Sequence, residues 1–143
     1  MNAIILSKAS YRYLLEAARN AAPLEACGLI GGQGFRLFRC FVLPNADRSP
    51  EHFRMQPEDQ FAALRQMRAE GLELRAIWHS HPATPPRMSD EDLRLAFTPG
   101  VWYLILSLAD PQRPFVKAFE VQEGRAVEVP LQIEEEGEHA HIS

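Results

Sequence analysis

The chain has 143 residues and a mass of 16.2 kDa, a length at which one compact domain is expected and roughly 68–70% of the unfolded surface can be buried. Its 46% hydrophobic and 24% charged residues match ordinary globular usage and exclude a disordered, collagen-like or low-complexity protein. Fifteen basic residues against nineteen acidic ones give a net charge of -4, and the arginines are scattered, which argues against a nucleic-acid partner.

The apolar residues Tyr11, Leu14, Leu15, Ala18 and Ala22 recur at three and four between Ser7 and Pro23, which predicts an amphipathic helix closed by the proline. Ala26 to Ile30 reads as a short buried strand. The cluster GGQG, Gly31 to Gly34, reads as a turn into a second strand, Phe35 to Leu43. It lacks the Lys-Ser/Thr of a phosphate loop and the spacing of a dinucleotide fingerprint.

Asn45 to Glu51 is a loop by composition, and His52 to Gln56 is a short extended piece in which His52 is read as a loop residue. Pro57, followed by Glu58 and Asp59, starts a helix whose buried face is Phe61, Leu64 and Met67 and which Gly71 stops. Leu72 to His79 is a strand, followed by the proline-rich HPATPPRM. Ser89 begins a short helix running to about Phe97.

Val101 to Leu108 is apolar almost without interruption and reads as a central strand buried on both faces. It is far too short for the ~20 residues of a membrane-spanning helix. Phe115 to Val121 and Ala126 to Ile133 are further strands, the second placed at a sheet edge by Pro130. Residues 1–133 therefore form one α/β (α+β) domain, a mixed sheet flanked by helices. Residues 134–143, acidic and without apolar period, read as a frayed tail.

The N-terminus carries only four consecutive apolar residues with no basic stretch before them, so a cytoplasmic address and no membrane partner are expected. Cys27 and Cys40, thirteen apart, form no Cys-x-x-Cys and read as buried thiols, with a single bridge between them left open.

The chemistry concentrates at His79-Ser80-His81-Pro82. Residues two apart on a strand share a face, so both imidazoles can converge on one ion beyond the strand end. Zinc suits that geometry, and a catalytic zinc site takes three protein ligands and keeps a fourth position open. Asp92, across a loop stiffened by Pro82, Pro85 and Pro86, is the natural candidate for the third ligand. Glu25, at the mouth of the first strand, is the candidate base, and the Ser89 hydroxyl the candidate oxyanion helper.

Each residue alone has a duller reading. Ser89-x-x-Asp92 is also a helix capping box, Glu25 a solvated strand-end acid, and one His-x-His a pair of surface residues. A second His-x-His, His139 and His141, lies in the acidic tail without a third ordered ligand.

Taken together, Glu25 in PLEACGLIGG and His79, His81, Ser89 and Asp92 in HSHPATPPRMSDED resemble the JAMM, or MPN+, metalloproteases. The similarity covers roughly residues 7 to 133. It implies a cytidine-deaminase-like curved sheet and one catalytic Zn2+, with hydrolysis of peptide or isopeptide bonds after the Gly-Gly end of ubiquitin-like proteins. It also implies Glu25 as base, His79, His81 and Asp92 as ligands, and Ser89 as oxyanion helper.

Larger members that cut polyubiquitin carry two insertions. Here only nine residues separate Asp92 from Trp102 and no cysteine follows Cys40, which argues against polyubiquitin. The chain looks more like compact prokaryotic members that trim small sulfur-carrier proteins. The rival reading is a noncatalytic scaffold of the same fold that binds a protein partner. A hydrolytic deaminase on the related fold would need a Cys-x-x-Cys pair that is absent.

Overall fold

The computed structural model describes residues 3–96 and 98–135. In chain order the elements are β1 (Ile4–Ser7), α1 (Lys8–Ala21), β2 (Cys27–Gln33), β3 (Arg36–Leu43), α2 (Pro57–Ala69), β4 (Glu73–His81), α3 (Asp90–Leu95), β5 (Trp102–Ser107), β6 (Phe115–Gln122), β7 (Arg125–Val129) and β8 (Leu131–Glu134). The eight strands form one mixed sheet in the order β7-β6-β5-β4-β2-β3-β1-β8. β4 runs parallel to β5, and β1 parallel to β3 and β8, while the other pairs are antiparallel. This is the α+β sheet flanked by helices that the sequence predicts.

Alternation along β4 divides the interior. Ala76 and Trp78 join the cluster beneath α1 with Leu14, Ala18, Leu104 and Leu106, whereas Ile77 joins Leu29, Tyr103 and the α2 residues Ala63 and Met67. β5 is buried at every position, as expected of a strand between two neighbours with helices on both faces. Odd-numbered residues of β4 thus face the α2 side, and that parity decides where His79 and His81 point.

Several boundaries differ from the sequence reading. The N-terminal apolar residues form β1, whose parallel partners β3 and β8 lie far away in sequence. The glycines expected in a turn instead continue β2 past Ile30: a Cβ on Gly32 would sit 1.9 Å from Arg36 O, so glycine answers a close backbone approach. The turn is confined to Gly34, with φ of +58°, and Phe35. Residues 52–56 join no strand ladder; Asn45 Oδ1 accepts from Arg54 N at 3.1 Å and Ala46 N donates to Arg54 O at 2.8 Å.

The strand expected over Ala126 to Ile133 is two strands divided at Pro130. β7 and β8 are the opposite ends of the sheet order yet are joined by that single residue, so the sheet curls until its edges approach. Proline suits the corner because it has no N–H to leave unpaired, and its carbonyl accepts from Ile4 N at 2.9 Å. Glu134, assigned by composition to the tail, is the last residue of β8 and pairs with Arg36 at 2.6 Å, and Glu135 pairs with Lys8 at 2.8 Å. His139, His141 and the end of the last predicted helix at Phe97 lie outside the described residues. Cys27 and Cys40 are buried free thiols, with no bridge between them. No helix among the described residues is long and apolar enough to cross a membrane.

Candidate metal centre

β2 and β4 pair antiparallel with Cys27 opposite His79. The same register carries on past the strand ends, because Ser80 N donates to Ala26 O at 2.9 Å and Ala26 N donates to Ser80 Oγ at 2.8 Å. Glu25 therefore lies across from His81, and by the strand period both belong to the α2 face, with His79 between them and the core. The loop after β4 brings in the last residue. Ser89 caps α3: its Oγ accepts from Asp92 N at 3.0 Å, and its own N–H donates to Asp92 Oδ2 at 2.9 Å.

His79 Nε2 lies 3.3 Å from Asp92 Oδ1, His81 Nε2 3.2 Å from Asp92 Oδ2, and the two Nε2 atoms are 3.1 Å apart. Tetrahedral bonds of about 2.0–2.1 Å place neighbouring ligand atoms about 3.3 Å apart, so the triad has the edge lengths of a zinc-type site. All three side chains are buried, and together they could hold a metal ion. His81 Nδ1 lies 2.8 Å from Pro85 O; with the proton on Nδ1 it donates there and leaves the Nε2 lone pair directed at the triad's centre. Glu25 Oε1 is buried without a hydrogen-bond partner among the described residues, as befits a group that completes its shell with something the chain does not supply.

The model of the prokaryotic homologs of the JAB domain matches residues 7–121. The chain belongs to that family. This JAB domain is 32% identical over 121 residues to a CysO-cysteine peptidase of Mycobacterium tuberculosis, covering 83% of each chain. It is 33% identical over 87 residues to a desampylase of Pyrococcus furiosus, covering 60% of this chain and 62% of that one. A solution structure of a Desulfitobacterium hafniense protein superposes with a TM-score of 0.85 at 45% identity, covering 96% of this chain and 97% of the other.

In the JAB domain the four ionisable groups are pushed in different directions. Burial raises Glu25 to about 8, only partly offset by His81, while the carboxylates of Asp92, Glu91 and Glu51 add to the rise. Burial also opposes the charge on Asp92, yet hydrogen bonds with His79, His81 and Ser89 N hold it well below the usual carboxylate range. Burial lowers His79 against the pull of Asp92. For His81 burial acts downward, but the bonds to Asp92 and Pro85 O prevail and raise it. An anionic Asp92 beside two imidazoles is a donor set that could hold a cation, and burial favours the protonated form of Glu25.

Beside the triad a cavity of about 500 Å³ is lined by Ile77, His79 and Asp92 together with Phe53, Met55, Leu95 and Tyr103. His52, read from sequence as an ordinary loop residue, sits at its rim, with Nδ1 3.1 Å from Asp47 and 3.9 Å from Glu91 of α3.

The structure brings Glu25, His79, His81, Ser89 and Asp92 into one place, and adds supports that sequence reasoning missed. Phe53 stacks on the His79 ring at 4.7 Å. Ser107, paired with His81 in the ladder, donates to Thr84 O at 2.5 Å and so pins the proline loop. Asn45 Nδ2 donates to Glu25 O at 3.1 Å and to His52 O at 3.0 Å, while Glu25 N donates to Ser49 O at 2.8 Å. Only Ser107, a hydroxyl within an otherwise apolar strand, left a trace in the sequence.

Proposed function

We propose that this JAB domain is a metal-dependent peptidase that hydrolyses the bond after the Gly-Gly end of a ubiquitin-like or sulfur-carrier protein. The observation that carries the reading is the buried His79, His81 and Asp92 triad at ligand-to-ligand spacing, with Glu25, whose Oε1 has no hydrogen-bond partner among the described residues, across from His81. The relatives named as a CysO-cysteine peptidase and a desampylase support hydrolysis at protein conjugates as the reaction class.

His79 Nε2, His81 Nε2 and a carboxylate oxygen of Asp92 would hold one zinc ion, which when bound lowers the pKa of its water to about 7 and polarises a substrate carbonyl. Glu25 takes a proton from the attacking water and passes it to the leaving amine as the tetrahedral intermediate collapses. Its raised proton affinity suits both halves, since a base with a pKa near the working pH can accept and return the proton. Ser89 Oγ accepts from Asp92 N, which leaves the hydroxyl proton free to donate to the developing oxyanion. The cavity beside the ligands excludes water from an extended chain, and glycines flanking the cleaved bond let that chain lie close to the ligands.

The test is to incubate zinc-loaded protein with sulfur carriers extended beyond Gly-Gly, with and without chelator, and to weigh the products. Loss of mass corresponding to the residues after Gly-Gly, abolished by chelator, is expected. Intact carriers throughout would remove the reading.

A further inference from the structure

We propose that Phe53 is a positioning residue for the metal centre: its ring, stacked on His79, does for that ligand what a hydrogen bond does for His81. The proposal rests on the metal-dependent reading of the triad and extends it to a residue outside the ligand set.

The two imidazoles turn the same nitrogen inward but are held in different ways. Both bring Nε2 to Asp92, His79 at 3.3 Å and His81 at 3.2 Å. A neutral imidazole whose Nε2 lone pair faces an ion carries its proton on Nδ1. Metal-bound histidines ordinarily donate that N–H to an oxygen, which fixes both the tautomer and the orientation of the ring. His81 follows the rule, with Nδ1 2.8 Å from Pro85 O. His79 does not, because its Nδ1 is buried with no hydrogen-bond partner among the described residues. Its ladder partners are Cys27 on β2 and Ile105 on β5. Cross-strand partners share a face, so His79 stands between a thiol and an alkyl group, neither of which offers an oxygen.

Packing is what remains to fix the ring. Phe53 and His79 are a stacked pair, 4.7 Å between centroids and 25° between planes, whereas His79 and His81 meet tilted at 56°. Histidine χ2 is a broad torsion with little preference of its own, and it is the torsion that swings Nε2 toward or away from Asp92. A flat ring laid against the imidazole narrows it. Phe53 is itself located through the backbone on both sides of it: Asn45 Nδ2 donates to His52 O at 3.0 Å, and Asn45 Oδ1 accepts from Arg54 N at 3.1 Å. One amide side chain thus brackets the residue, and a loop outside the strand ladders delivers an aromatic ring to the ligand that lacks an acceptor.

The duller role for Phe53 is packing, since it also lies against the apolar cluster of Leu29, Met67 and Ile77. The two roles part on substitution. Leucine keeps an apolar side chain on the cluster and removes the flat face, whereas tyrosine keeps the face. Groups that orient a ligand histidine are worth about 10–100-fold in metal affinity.

The experiment measures zinc affinity of the full chain by competition with a chromogenic chelator, and the order of each ligand ring by carbon-13 relaxation at histidine Cε1 in zinc-free protein. In the wild type the His79 ring should be as ordered as the His81 ring. Phe53→Leu should lose about tenfold or more in zinc affinity and loosen the His79 ring alone, while Phe53→Tyr should stay within about threefold of wild type. Leu64→Ala, which thins the same cluster from α2, should lower the melting temperature and leave zinc affinity within about twofold.

Unchanged zinc affinity in Phe53→Leu, equal losses in the leucine and tyrosine variants, or a loss in Leu64→Ala as large as in Phe53→Leu would overturn the proposal. A His79 ring already loose in the wild type would overturn it without any variant. Zinc held at the triad with no carrier cleaved would sink the peptidase reading and spare the role of Phe53, whereas cleavage with zinc affinity indifferent to Phe53 would do the reverse.

Discussion

Ala26 and Ser80 hold each other by two reciprocal bonds, Ala26 N to Ser80 Oγ at 2.8 Å and Ser80 N to Ala26 O at 2.9 Å. Their neighbours on the other face are Glu25 and His81, so a structural clamp on one side of the sheet sets the distance between the proposed base and a ligand on the other. Ser80→Ala leaves the buried Ala26 N–H without its acceptor and should cost about 1–3 kcal/mol in denaturant unfolding. Because the same contact fixes Glu25 against His81, kcat should fall while metal stoichiometry stays at one ion per chain. A variant with full kcat would show that the clamp is purely structural.

Glu25→Gln should lower kcat by about 10²–10⁴-fold, the usual contribution of a general base, and leave the metal in place because the side chain at this position takes no part in holding it. Steady-state kinetics together with metal analysis of the dialysed variant separate the two effects. Retained turnover would strip Glu25 of its role.

The proton affinity of Glu25 also makes metal-free stability depend on pH. Its folded-state pKa, about 8, lies above the ordinary 4.5, so between those values the folded chain binds more protons than the unfolded chain at this site. Stability therefore falls as pH rises through that window; the contribution is fully present below it and lost above it. Urea unfolding of chelator-treated wild type and Glu25→Gln at pH 5 and pH 8 isolates the effect from the histidines. The variant should gain on the wild type at the higher pH. A constant difference would mean that Glu25 is hydrated in solution.

Gly32→Ala tests the bulged end of the hairpin. The added Cβ would stand 1.9 Å from Arg36 O and 2.9 Å from its carbonyl carbon, neither of which can yield without opening the β2–β3 pairing. A loss of about 3 kcal/mol or more is expected in chemical denaturation, against about 1–2 kcal/mol for Gly34→Ala, where only the positive φ objects and no atom is in the way.

The contrast between those glycines shows why some of the fold was legible in the chain and some was not. A Gly-Gly pair reads as a turn because composition reveals conformational freedom and not the partner atom that forbids a side chain. β1 escaped notice because four residues carry too little period, and its meaning lies in parallel partners some thirty and more than a hundred positions away. α1 and β5 were legible because each buries a face whose period is written locally, whereas the face expected of α2 fails at Phe61, which is 60% exposed while Ala63 and Met67 are buried. At the site, the alternation of β4 puts His79 and His81 on one face from sequence alone. Glu25 became a candidate by its place at the mouth of the first strand, and only the antiparallel register shows how it reaches His81. Phe53 and Asn45 belong to a loop without period, and nothing in their spacing reveals that one stacks on His79 while the other holds the Glu25 carbonyl.

The most direct measurement is an anomalous-scattering crystal structure of the protein reconstituted with one equivalent of zinc. One peak about 2.0–2.2 Å from His79 Nε2, His81 Nε2 and an Asp92 carboxylate oxygen, with Glu25 close by but unbound to the metal, is the expected result. Zinc seated elsewhere, or no peak among these three side chains, would contradict it.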